Sequence, residues 1–163
     1  MFEVNDIVLY NRTDVCRVHE IRPMAFLGGE RINYYVLKPV YDDSQANSTV
    51  YVPVDADESR VRRAFSADEL RALLSDRSRR VAWIDAPLIR KKEYTDLLGR
   101  GQPAELLALI RTLADHRDQQ LRAGRKVSEA DEKYMVAAEK KLFPLFRYIL
   151  GVEWEDFRQV VTQ

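Results

Sequence analysis

At 163 residues the chain holds one domain of ordinary size or two small ones of roughly 60 to 100 residues each, and with 46% apolar and 32% charged residues it has a globular composition rather than a disordered or fibrous one. Lys+Arg and Asp+Glu both total 26, so no global positive field marks a nucleic-acid binder and any such contact must come from a local patch. Cys16 is the single cysteine, which excludes an intramolecular disulfide framework and a cysteine metal cluster and suits a reducing cytosol.

The chain opens Met1-Phe2-Glu3-Val4-Asn5-Asp6, acidic where a secretory signal is basic and then apolar. No run of 18 apolar residues follows, so a cytoplasmic protein without a membrane span is expected. Four β-branched or aromatic runs then read as strands: Ile7 to Tyr10, Val15 to Ile21, Ile32 to Leu37 and Thr49 to Pro53. The turn Asn11 to Asp14, the pair Gly28-Gly29 and the polar loop Asp42 to Ser48 separate them. So many short strands in so short a stretch predict a small curled sheet or barrel.

At Ser66-Ala67-Asp68-Glu69 the pattern changes to a capping box, in which the serine bonds the third helical amide and the glutamate reaches back. A short helix carrying Leu70, Leu73 and Leu74 follows, then a polar linker over Asp76 to Arg80. A second helix is expected from near Asp85-Ala86-Pro87 to Gly99-Arg100-Gly101, and a third from Pro103 to Arg122 with Leu106, Leu107, Ile110, Leu113 and Ala114 on one stripe. The fourth starts at Ser128 and carries Tyr134, Met135, Ala138, Leu142, Phe143, Leu145, Phe146 and Ile149, with Pro144 predicted to kink or split it. A terminal helix covers about Glu153 to Val161. Strands followed by helices make an α+β chain, divided between Val61 and Ser66.

Signals for catalysis are thin. His19 lies in a strand pattern and His116 on a charged helix face, with no spaced partner of a metal-ligand or triad type. Cys16 sits in an apolar strand run, as an inert buried thiol does. Neither glycine pair has the strand context or the lysine of a phosphate loop. No catalytic residue, metal or cofactor is expected, and no small-molecule substrate.

The densest positive region spans residues 77 to 92. Arg77, Arg79, Arg80, Arg90, Lys91 and Lys92 face a single carboxylate, Asp85, for a local charge of +5. Two basic clusters there flank Val81-Ala82-Trp83-Ile84. Either they grip phosphates on both sides of a groove with the indole between them, or Trp83 packs on the bundle and the cations are a solvated linker. Tyr34, Tyr35 and Tyr51 occupy strand positions where alternation turns one of each adjacent pair outward, either as half-buried sheet tyrosines or as a partner surface.

In order along the chain, Phe2 to Tyr10, Tyr34-Tyr35-Val36-Leu37, Val50 to Val54, Arg60-Val61-Arg62, Arg90-Lys91-Lys92, Leu97 to Gln102, Ile110-Arg111-Thr112-Leu113 and Val127-Ser128 with Asp131 to Met135 resemble the CarD family of bacterial transcription regulators. The resemblance implies a Tudor-like or SH3-like barrel over residues 1–63 that docks on the β subunit of bacterial RNA polymerase. It implies a helical domain over 64–163 that contacts promoter DNA at the upstream edge of the transcription bubble and stabilises the open complex. In that scheme Trp83 is a minor-groove wedge, and Arg79, Arg80, Arg90, Lys91, Lys92 and Lys133 hold phosphates. Polymerase contacts fall at Met24 and Tyr51, where the family carries basic residues, with Arg22 beside them. The alternative is a protein-interaction module that keeps the polymerase-binding barrel and has no DNA role.

Overall fold

The computed structural model describes residues 1–41 and 48–163; the polar loop expected over 42–48 lies, apart from Ser48, outside the described residues. The chain divides into two compact units, Met1–Ala64 and Phe65–Gln163.

The first unit is an antiparallel sheet of β1 (Ile7–Tyr10), β2 (Asp14–Met24), β3 (Ile32–Pro39), β4 (Val50–Pro53) and β5 (Val61–Arg63). Their order is β4-β3-β2-β1-β5. β4 and β5 are edges that do not pair, so the sheet is open and the expected barrel is not closed. Four and three residues give these edges few ladder groups, and Pro53 contributes no donor.

Every second rung turns inward. Val8, Cys16, Val18, Tyr35, Leu37, Val52 and Val61 form the core, with Phe2, Tyr10 and Ile21 packed against it. Each such aliphatic side chain, fully removed from water, contributes about 1.5–3 kcal/mol. Phe2 seals one end, its amide donating to the Tyr35 hydroxyl at 2.9 Å and its ring 5.5 Å from that tyrosine's. The β2–β3 register shifts between Val18 and Glu20, a bulge at His19 that resets which side chains of β2 face outward.

The second unit comprises α1 (Ala67–Ser75), α2 (Pro87–Arg100), α3 (Pro103–Arg122), α4 (Glu129–Leu150) and α5 (Trp154–Thr162). The capping box closes as the sequence predicts: the Glu69 amide donates to Ser66 Oγ at 3.1 Å and the Ser66 amide to Glu69 Oε2 at 2.8 Å. Gly101 and Gly151 end α2 and α4 in the left-handed region, φ +66° and +67°, where a Cβ is penalised. α3 is central and packs against α2, α4 and α5. Its Leu106, Leu107, Leu109 and Ile110 are fully buried, as are Leu142, Leu145 and Phe146 of α4.

α4 runs through Pro144 without the expected split. An interior proline costs about 3 kcal/mol. Burial of Leu142, Leu145 and Phe146 around it, each worth about 1.5–3 kcal/mol, outweighs that cost.

Arg111 is 3% exposed and has no carboxylate partner among the described residues. Its guanidinium donates instead to three carbonyls: Leu74 at 2.7 Å and Asp76 at 2.7 Å, where α1 ends, and Val161 at 2.9 Å in the last turn of α5. Those are the negative ends of two helix dipoles, which replace a counter-ion. Burial, and then the cations Arg80 and Arg77, push its pKa down.

Candidate functional site

On the sheet unit, the rungs between those of the core carry a different set of side chains. Arg22, Tyr34 and Pro53 share one rung, Glu20, Val36 and Tyr51 the next, and Met24 pairs with Ile32 at the end. Arg22, Met24 and Tyr51 therefore lie together on the face away from the core, although 29 positions separate Arg22 from Tyr51 in the sequence. The Arg22 guanidinium lies 5.9 Å from the Tyr51 ring centroid and 3.2 Å from Glu20. Phe26, just past the end of β2, packs edge-on against Tyr34 at 5.1 Å and Tyr51 at 6.0 Å. Phe26, Ile32 and Tyr51 remain exposed. An apolar and aromatic patch with a cation on its rim has the composition of a protein-binding surface. Of its members, Phe26 was the one sequence reasoning missed; it lies outside the strand runs that drew attention to the tyrosines.

Farther along the same face Arg17 pairs directly with Lys38. Like charges opposite one another cost stability, and both are exposed. They extend the positive rim.

On the helical unit, the segment from Asp76 to Ala86 is strapped to the bundle and is not a solvated linker. The Val81 amide donates to Thr112 Oγ1 at 3.0 Å and the Tyr94 hydroxyl to the Ala82 carbonyl at 3.0 Å. Trp83, the expected wedge, is half-buried. Its indole stacks on His116 with ring centroids 3.5 Å apart, meets Tyr94 edge-on at 6.5 Å, and donates its N–H to Asp85 Oδ1 at 3.1 Å. The Arg90 guanidinium lies 4.7 Å from its ring centroid. The ring is held by four neighbours, an arrangement that favours the packing role the sequence offered as the alternative to the wedge.

Arg90 is enclosed more fully. It pairs with Asp131 at 2.9 Å, the two side chains 10% and 9% exposed, and donates to the carbonyls of Ile84 at 2.7 Å and Asp85 at 3.2 Å. Its Nε and Nη1 hydrogens are thus committed within the helical unit. Its burial follows from Asp131, 41 residues away, a partner no local charge count reveals. Arg79 pairs with Asp76 at 3.5 Å and Arg80 with Asp115 at 2.7 Å, Arg80 also donating to the Arg77 and Arg79 carbonyls. Their charge is partly neutralised, so the +5 of the stretch overstates its field.

Lys91 and Lys92 are exposed on α2, and Lys133 is exposed on α4. One turn before the two lysines, Leu88 and Ile89 are 83% and 56% exposed. The first turn of α2 carries no acidic residue and no side-chain cap. Two exposed aliphatic side chains beside two exposed cations make the start of α2 the one place in this stretch where apolar and phosphate contacts coincide among the described residues.

His19 and His116 belong to different units, and among the described residues no group of three or more His, Cys, Asp or Glu side chains could hold a metal ion. Cys16 is buried, and burial, with the nearby Asp14 carboxylate, pushes its thiol from an ordinary value of 9.0 up to about 12. Among the described residues no helix is long and apolar enough to cross a membrane.

Residues 2–64 match the model of the CarD-like/TRCF RID domain family. The match spans the sheet unit to its last residue. No curated protein matches the chain.

Proposed function

Because residues 2–64 match the CarD-like/TRCF RID domain family, we propose that the chain is a CarD-like, non-enzymatic transcription regulator that docks on the β subunit of bacterial RNA polymerase through the outer face of β2, β3 and β4. The RID domain is an RNA polymerase-interacting domain, and the family consists of polymerase-binding regulators. The observation that carries the reading is the coincidence of this domain with the patch of Arg22, Met24, Phe26, Tyr34 and Tyr51. The test is co-purification and titration of the full chain with polymerase. Tyr51→Ala, which loses the ring touched by both Phe26 and Arg22, is expected to weaken binding at least tenfold with the fold intact; aromatic residues and arginine dominate such interfaces. Wild-type protein that recovers no polymerase refutes the reading.

The helical unit contributes promoter DNA contact. Lys91 and Lys92, with Arg79, Arg80 and Lys133 as outlying cations, meet phosphates, and Leu88 with Ile89 takes the apolar role expected of Trp83. Trp83 holds the segment that presents them. An apolar side chain that fits a distorted step better than an intact one favours the open promoter. A preference of about 1.4 kcal/mol changes the open-to-closed ratio tenfold. Each phosphate contact removed is expected to lower the slope of log affinity against log salt by about 1. Lys91→Ala and Lys92→Ala in the full chain therefore lower it by about 1 apiece, and an unaltered slope removes them from the interface.

A second reading, an interaction module with no DNA role, draws support from the ion pairs of the helical unit. Arg79, Arg80, Arg90, Arg117 and Arg158 all have carboxylate partners. It predicts no salt-sensitive binding of the full chain to duplex DNA.

A further inference from the structure

We propose that Leu27, at the tip of the β2–β3 hairpin, is a docking side chain that inserts into an apolar hollow of the polymerase β subunit; the inference rests on the polymerase-binding reading above and names a contact within it. Leu27 has φ +53° and Gly28 φ +74°, and the Gly29 amide donates to the Phe26 carbonyl at 3.0 Å. These are the marks of a type I′ turn with Leu27 and Gly28 at its centre. That turn needs left-handed backbone at both central positions, and Asn, Asp or Gly fills the first one because a larger L side chain is strained there.

Among the described residues, left-handed backbone outside this turn falls on Asn5, Asn11 and three glycines, and once on Arg12, which is half-buried. Among the described residues Leu27 alone combines a strained backbone with an apolar side chain that is fully exposed, at 107% of its reference area. Among the described residues nothing covers the side chain, and asparagine would lower both penalties. A leucine retained against local preference is explained by something outside the chain that covers it.

Its neighbour identifies the occupant. Phe26, the preceding residue, is part of the aromatic patch through Tyr34 and Tyr51, so Leu27 continues the same apolar surface beyond the end of the strands. Arg22 lies on that surface and Arg31 is exposed on the far side of the turn. The complementary surface is an apolar hollow with carboxylates at its edge.

The experiment measures affinity of the full chain for bacterial RNA polymerase alongside the melting midpoint, for wild type, Leu27→Asn and Leu27→Met. Loss of a buried leucine contact is expected to weaken binding at least tenfold in Leu27→Asn. The midpoint should hold or rise by about 4 °C as the turn gains its preferred residue. Leu27→Met keeps the apolar bulk and should bind within about threefold of wild type. Leu27→Asn that binds as wild type overturns the inference while leaving polymerase docking intact, and so does a lowered midpoint, which would make Leu27 a residue of the fold. Wild-type protein that fails to bind overturns both.

Discussion

Replacing Asp131 by asparagine removes the one negative charge that faces the Arg90 guanidinium inside the helical unit. Both side chains are about nine-tenths buried and lie 2.9 Å apart. Taking away one partner of such a pair leaves a charge without compensation in a poorly solvated site, at a cost of about 3–5 kcal/mol. Two features favour the lower end: Arg90 keeps the Ile84 and Asp85 carbonyls, and the asparagine oxygen still accepts from Nε. A loss of about 3 kcal/mol is a large share of the ~5–15 kcal/mol that stabilises a domain. With a urea dependence of about 2 kcal/mol per molar, the midpoint falls by about 1.5 M. Tryptophan fluorescence reads the right unit, because both tryptophans, Trp83 and Trp154, lie in it. A shift below about 0.3 M would put the pair in the range of exposed ion pairs, contradict its burial, and return Arg90 to the pool of phosphate ligands.

Trp83→Ala removes the His116 stack, the Tyr94 contact and the Arg90 cation, and is expected to cost about 2 kcal/mol; urea unfolding followed by circular dichroism checks it, and an unchanged midpoint means a solvated indole. Cys16 should resist maleimide at pH 8 until denaturant exposes it, since a thiol held at about 12 has almost no thiolate. A raised acid loses its stabilisation as pH rises. The unfolded thiol ionises near 9.0 and the folded one near 12, so the sheet unit should lose stability between those values and not below them, as melts at pH 8 and pH 10 would show. Ser66→Ala removes the hydroxyl that accepts from the Glu69 amide, leaves the backbone bond to Glu69 Oε2 in place, and should cost about 1 kcal/mol, read as a lower urea midpoint of the helical unit.

Much of the fold was legible because its signals are local. The Ser66–Glu69 box, the glycine ends of α2 and α4, and the β-branched runs each act within a few residues. β5 escaped notice because it has three residues, two of them arginine, and becomes a strand only by pairing with β1. At Pro144 the split, one of the two expected outcomes, does not occur, since propensity is local and the burial that overrides it is not. At the candidate surfaces, strand alternation hinted that one of Tyr34 and Tyr35 points outward, and Tyr34 does. The field of the basic run was not legible for a physical reason: charge counts ignore where the opposite charge comes from. Asp115 and Asp131 reach Arg80 and Arg90 across 35 and 41 residues, so Arg80 is partly neutralised and Arg90 is enclosed. Lys91 and Lys92 on α2 are exposed, as a phosphate contact requires.

The carbonyls gathered by Arg111 couple parts of the chain that would otherwise fray on their own. α1 begins the helical unit and α5 ends it, each only nine residues long, and short terminal helices ordinarily open at low free energy. One guanidinium on α3 holds the last turn of both. Opening either end strips a hydrogen bond from a cation that cannot reach water until the other end opens too. The first and last helices should therefore exchange their amide hydrogens as one cooperative unit, at rates set by the central helix, which leaves the helical unit without a loose terminus.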